Sequence, residues 1–139
     1  PLWQSGIRSE IAAFQEYQRK SESILNALFR SGQVRKQDQI PQKFQLLQNF
    51  PNPFNPTTTI KYQLPKTTNV RLEIYNILGQ RIKTLVDAQQ PADYYTIQWD
   101  GRNNHGVQVG SGLYIYRLIA EAVDGSENFV KVRKMLLVR

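Results

Sequence analysis

Two hydrophobic periods divide the chain. Up to about residue 40, Ile7, Ile11, Phe14, Leu25 and Leu28 recur at spacings of three, four or their sums, which puts them on one helical stripe. Ser5 stands where an N-cap belongs, Gly32 where helices commonly stop, and no proline lies between them. The pattern predicts one long α-helix within residues 1–32, close to 37 Å if ~25 residues rise 1.5 Å each. Polar Gln18 and Ser21 interrupt the stripe, which argues against a uniform coiled coil. Two readings of this segment stand side by side. It is the last helix of an upstream domain, or a docking helix that presents Ile7, Ile11, Phe14, Tyr17, Leu25, Leu28 and Phe29 to a partner. Residues 33–43, polar, basic and carrying Pro41, read as a linker.

After Phe44 the period becomes two. Ile60, Tyr62 and Leu64 alternate with polar neighbours, as do Val70, Leu72 and Ile74, then Tyr95, Ile97 and Trp99, then Leu113 and Ile115. β-Branched and aromatic residues fill these runs, as a half-buried pleated surface requires. Turn signals separate them at Leu78-Gly79, Gln90-Pro91, Asp100-Gly101, Asn104 to Gly106 and Asp124-Gly125. Seven strands are predicted, at 44–48, 58–64, 70–77, 80–86, 94–99, 112–123 and 127–138. The expected fold class is therefore mainly β: a seven-stranded antiparallel immunoglobulin-like sandwich over residues 44–139, preceded by the long N-terminal helix.

Composition narrows the chemistry. In 139 residues there is no cysteine and a single histidine, His105. Disulfides, thiol nucleophiles, thiolate zinc sites and multi-histidine metal centres within one chain are excluded. In the stretch Asp100-Gly101-Arg102-Asn103-Asn104-His105-Gly106 oxygen ligands recur at alternate positions, but Arg102 occupies one of them and the distal glutamate of an EF-hand is missing. Asp100, His105 and Ser111 lie close together, without a nucleophile elbow or an oxyanion motif. No enzyme activity, cofactor or metal is expected. The net charge of +7 divides into +2 before Pro41 and +5 after it, with one local cluster at Lys131, Arg133, Lys134 and Arg139. It lacks the concentrated basic stripe with exposed aromatics that nucleic-acid binding shows. Attraction to an anionic surface is the milder use of such a charge. No run approaches the ~18 apolar residues of a membrane span, and the start at Pro1 implies a piece of something longer.

The most specific stretch is Gln48-Asn49-Phe50-Pro51-Asn52-Pro53-Phe54-Asn55-Pro56. Its three prolines fix φ and bias each preceding residue toward extended backbone, which predicts a rigid strap leading into the strand at 58–64. Asn52 and Asn55 are positioned to brace turns within it. Followed by Ile60-Lys61-Tyr62-Gln63-Leu64-Pro65, Val70 to Gln80, Trp99-Asp100-Gly101-Arg102-Asn103, Ser111 to Leu118 and Lys134-Met135-Leu136-Leu137, the strap resembles the C-terminal sorting domains of the type IX secretion system. The Trp-Asp-Gly and Gly-x-Tyr parts equally resemble the immunoglobulin-like domain of the flagellar hook-capping protein. Ala92-Asp93 depart from the pattern, since a glycine usually precedes the Trp strand in such domains.

The resemblance implies a non-enzymatic address on an exported or cell-surface protein, read by secretion-machinery proteins at the outer membrane. It also implies contact with anionic cell-surface glycolipid. The candidate recognition residues are Asn49, Pro51, Asn52 and Pro53 in the strap, Gly79, Gly112 with Tyr114, and Lys131, Arg133 and Lys134 on the last strand. Each also has a structural reading: the prolines stiffen the strap, the glycines supply permissive backbone, and lysines guard an edge. Because Lys131 and Arg133 alternate with Val130 and Val132, the basic residues are expected to point outward. The alternative function is a structural subunit of a surface filament or extracellular complex, assembled through the N-terminal helix with copies of itself or a larger protein. A glycan-binding sandwich would need Tyr75, Tyr94, Tyr114 and Tyr116 exposed on one face.

Overall fold

The structure is a computed structural model that describes Ile40–Arg139 and, before them, only residues 15–16, 19–20, 23–24 and 26–27. The chain divides into one unit over Pro1–Gln39 and a second over Ile40–Arg139. The second unit contains seven strands: β1 Gln45–Leu46, β2 Thr58–Leu64, β3 Thr68–Asn76, β4 Arg81–Gln90, β5 Asp93–Trp99, β6 Gly112–Ala122 and β7 Asn128–Leu137. All their pairings are antiparallel. β1, β2 and β5 form one sheet in the order β1-β2-β5; the other four form a second, in the order β4-β3-β6-β7.

The two-residue period is what drives the layers together. Ile60, Tyr62 and Leu64 of β2, Val70, Leu72 and Ile74 of β3, and Tyr116, Leu118 and Ala120 of β6 are all buried in one core. Their odd-numbered or even-numbered neighbours face out, so each sheet has one apolar face that must be covered by the other. The hairpins β3–β4 and β6–β7 stay within the four-stranded sheet, while β2–β3, β4–β5 and β5–β6 cross between sheets. This is an immunoglobulin-like arrangement of seven strands in two packed sheets. The core is closed at one end by aromatics: Trp99 is 1% exposed and packs against Phe54 at 5.7 Å and edge-on against Tyr114 at 5.4 Å.

The expected long N-terminal helix requires correction. Among the described residues no helix stands as an element; helical backbone occurs only at the four pairs before Ile40. An amphipathic helix of this kind draws most of its stability from burying its stripe against another surface, which periodicity alone does not supply. Ile7, Ile11, Phe14, Tyr17, Leu25, Leu28 and Phe29 lie outside the described residues, as does the linker up to Gln39.

Candidate functional site

The strap between β1 and β2 is tied down at both of its sides. Along β2, Phe50 and Thr59 exchange main-chain hydrogen bonds of 3.0 and 2.9 Å. At its centre Asn49 is buried, 2% exposed. Its main-chain N–H donates to Tyr116 Oη at 2.8 Å, and its side-chain amide donates to Thr58 Oγ1 at 2.9 Å and Pro51 O at 3.2 Å. Tyr116 Oη in turn donates to Leu47 O at 2.7 Å. Burial pushes the Tyr116 hydroxyl up to about 12, outweighing the Asn49 hydrogen bond and the nearby Arg133 charge, so it stays a neutral donor. Asn49 is thus a satisfied polar brace inside the fold rather than a surface contact.

On its other side the strap lies against the edge of β7. Phe54 N–H donates to Leu136 O at 3.0 Å and Val138 N–H donates to Phe54 O at 2.9 Å. Leu136 N–H donates to Asn52 Oδ1 at 3.0 Å, and Gln48 Nε2 donates to Lys134 O at 2.7 Å. Asn52 therefore braces the last strand, not a turn of its own. The strap joins an edge of one sheet to an edge of the other, and brings Asn49, Pro51, Asn52 and Pro53 together with the C-terminal half of β7.

The basic residues of β7 are distributed differently from the outward cluster expected. Lys131 lies opposite Leu118 and Arg133 opposite the buried Tyr116, so both share the inward face with Phe129, Met135 and Leu137. They remain accessible because β7 overhangs the short β1. Arg133 Nε donates to Leu46 O at 2.7 Å, and both residues line a cleft of about 210 Å³ with Lys43, Phe44, Leu46 and Phe129. Lys134 alone faces outward, opposite Ile115. The outer face here is instead apolar, with Val130, Val132 and Leu136 exposed. Alternation misled because both faces of β7 carry apolar residues; the register against β6 decides between them.

The remaining candidates are dispersed. Gly79 occupies a left-handed turn at φ +79°, held by Asn76 Oδ1 accepting from Leu78 and Gln80, with open space around its Cα. Gly112 opens β6 opposite Leu137, also beside open space. Tyr114 is a core residue whose hydroxyl donates to Gly110 O at 2.8 Å. The four tyrosines do not share a face: Tyr114 and Tyr116 are inside, Tyr75 lies on the outer face of the four-stranded sheet, and Tyr94 on that of the three-stranded one. In the 100–106 loop, Asp100 Oδ1 accepts from Arg102 N–H, and Asn103 Oδ1 from His105 and Val107 N–H. Those oxygens serve the turn. Gly101 has a further constraint: a Cβ there would lie 2.8 Å from Arg139 Nη2, whose guanidinium donates to Gly101 O and Val109 O.

One charged centre escaped the sequence. Glu73 is 2% exposed although its side chain belongs to the outer face of β3. Arg71, Arg81 and Arg117 surround it at 3.3, 3.2 and 3.6 Å, and Tyr75 Oη donates to it at 2.9 Å. Burial pushes the carboxyl up, but hydrogen bonds from Tyr75 and Arg81 and the charges of Arg71 and Arg81 outweigh it and hold it below the usual carboxylate value. Arg117 also stacks over the Tyr75 ring at 4.9 Å. The cluster spans three strands, so no local spacing in the sequence could reveal it.

Residues 54–125, just over half of the chain, match the family described as the FlgD Ig-like domain. Among solved structures the chain is similar to dimeric latent PorU from Porphyromonas gingivalis, with 22% identity and a TM-score of 0.56 over 70% of this chain and 10% of that one. It is similar to FLGD from P. aeruginosa, with 19% identity and a TM-score of 0.46 over 61% of this chain and 70% of that one. It is also similar to PorZ of Porphyromonas gingivalis, an essential bacterial surface component of the type-IX secretion system, with 19% identity and a TM-score of 0.40 over 69% of this chain and 11% of that one. The chain thus spans about a tenth of the length of PorU and of PorZ. No curated protein matches it significantly. Among the described residues no helix is long and apolar enough to cross a membrane.

Proposed function

Because the chain belongs to the family of FlgD Ig-like domains, we propose that it works as a non-enzymatic sorting or attachment module of an exported protein, read by type IX secretion machinery. The observation that carries this reading is the junction of the strap with β7. Two of the segments that carry the resemblance to type IX sorting domains, 48–56 and 134–137, are distant in sequence yet hydrogen-bonded to one another. A receptor could then read them as one composite surface, present only when the domain is folded. The cleft lined by Lys131 and Arg133 beside this junction offers cationic groups to an acidic partner or an anionic glycolipid. The partner of the N-terminal segment belongs to the same proposal, with the upstream cargo or a larger extracellular protein as its candidates.

The reading is tested by fusing residues 40–139 behind an inert reporter in a host with a working type IX system. Surface delivery of the reporter is expected. A Lys131→Glu, Lys134→Glu double variant should fold with an unchanged circular dichroism spectrum and lose most of that delivery. A folded fusion that stays in the periplasm would sink the sorting role.

A further inference from the structure

The unused chemistry of this molecule lies along one strand edge. β2 turns its odd-numbered main-chain groups toward β1 and the strap: Leu47 N–H donates to Lys61 O, and Phe50 pairs with Thr59. Its even-numbered residues therefore bond to β5, with Ile60 opposite Ile97 and Tyr62 opposite Tyr95. Since bonding alternates along an antiparallel strand, the N–H and C=O groups of Tyr94, Thr96 and Gln98 face away from β2. Tyr94 N–H is capped by Asp93 Oδ1 at 2.7 Å. Thr96 and Gln98 are exposed, and among the described residues β5 pairs with β2 alone.

The other edges are short, bulged or partly covered. β1 is two residues long. β4 has two register shifts, and Asn104 both donates to Ile82 O and accepts from Thr84 N–H, each at 3.1 Å. β7 lies under the strap at Lys134, Leu136 and Val138. β5 has no proline, glycine, bulge or basic residue over Asp93–Trp99, and so lacks the usual guards of an edge.

We propose that β5 is a self-association edge, on which a second copy of this chain adds antiparallel about a two-fold axis at Thr96. The two three-stranded sheets would then continue as one of six. The strand is its own complement in that register. Thr96 meets Thr96, Tyr94 meets Gln98, Tyr95 meets Ile97, and no charge meets a like charge. β-Branched and aromatic cross-strand pairs of this type are favourable. Self-pairing of β7 would instead confront Lys131 and Arg133 with the same residues, and β4 carries Arg81 and Lys83. One strand pair buries less than a stable dimer needs, so the association is weak and concentration-dependent. Asp93, occupying one of the edge N–H groups, weakens it further.

Sedimentation of the full chain from about 10 μM to about 1 mM is expected to pass from monomer toward dimer, the range in which an association worth about 4–6 kcal/mol shows itself. Amide exchange at Thr96 and Gln98 should slow over the same range. Thr96→Lys, which sets two ammonium groups together at the axis, should weaken the dimer at least tenfold and erase that protection. Thr96→Glu, which sets two carboxylates together at the same axis, carries the same test should Thr96→Lys alter the thermal melt. Asp93→Ala should tighten the dimer severalfold. A chain that stays monomeric at 1 mM, a Thr96→Lys variant that associates like the parent, or an association abolished by Ile11→Ser and Phe14→Ser but not by Thr96→Lys would each overturn the proposal. So would exchange at Thr96 that ignores concentration, or an Asp93→Ala variant that associates no more tightly.

Discussion

On the β7 edge, Lys134, Leu136 and Val138 find hydrogen-bond partners in Gln48, Asn52 and Phe54, the two side-chain contacts spanning 86 and 84 positions of sequence. On the β5 edge, the only cap among the described residues is local: Asp93 takes the N–H of its immediate neighbour. Covering an edge with another strand merely moves the exposed edge outward by one strand. The strap avoids this through composition. Pro51, Pro53 and Pro56 have no N–H, so the strap's outer side offers a further strand little to pair with. A carboxylate cap is cheaper in sequence but closes a single donor. The difference explains why one edge of the sandwich is a composite surface made from both ends of the domain, and the other a plain strand side.

The largest break in this comparison comes from Phe54, which anchors the strap. It is 2% exposed, packs on Trp99, and makes two of the main-chain bonds to the β7 side. Phe54→Ala removes a buried ring and leaves a cavity beneath the strap, at a cost of about 3–5 kcal/mol. Urea unfolding should show that loss. The amides of Phe54 and Val138 should lose exchange protection before those of β2 and β3 do. Equal loss everywhere would mean that the strap has no independence from the core.

Acid provides a smaller and more selective perturbation, because the strap's bonds to β7 are all between neutral groups while the outer face of β3 depends on Glu73. The Glu73 carboxyl is held below its unfolded value, so its contribution is full above the ordinary carboxylate range. That contribution is lost as the pH falls through the depressed folded value. Hydrogen bonds to a charged group of this kind are worth about 1.5–3 kcal/mol. Glu73→Gln should therefore destabilise the domain by about that much at neutral pH and flatten the acid limb of its stability curve. Protection at Leu136 and Val138 should stay level with pH until global unfolding. An acid limb of the same steepness in Glu73→Gln would assign the pH dependence to other carboxylates.

Much of the sandwich was legible because alternation is a local signal. β2 is found at the predicted residues, and β3 to β7 start or end within a few residues of expectation; β4 runs longer, to Gln90, across bulges that alternation cannot register. Long-range pairing carried the information that the chain itself hides. Which face of β7 turns inward follows from Tyr116 opposite Arg133, although the parity of Phe129, Met135 and Leu137 was a usable hint. Glu73 looked like an ordinary outward residue because its three arginines come from three strands. Asn49 was named as a recognition candidate from the strap motif, but its hydrogen bonds point inward to Tyr116 and Thr58. The N-terminal stripe was read as a helix from periodicity alone, which cannot supply the buried surface a long helix needs.

The finest test of the two edges is Asn52→Ala. The side chain is exposed and its Oδ1 accepts one hydrogen bond, from Leu136 N–H. Removing it leaves that N–H free to bond water, so the global cost should be small, about 0.5–1.5 kcal/mol or less. The local effect should be clear. Leu136 becomes chemically equivalent to Thr96, an edge residue whose N–H faces solvent, and its amide should exchange as fast as that of Thr96 in dilute protein. Val138, still bonded to Phe54 O, should keep its protection. If Leu136 remains slow, the prolines and the Phe54 anchor shield the edge by exclusion alone, and the asparagine is not part of the cover.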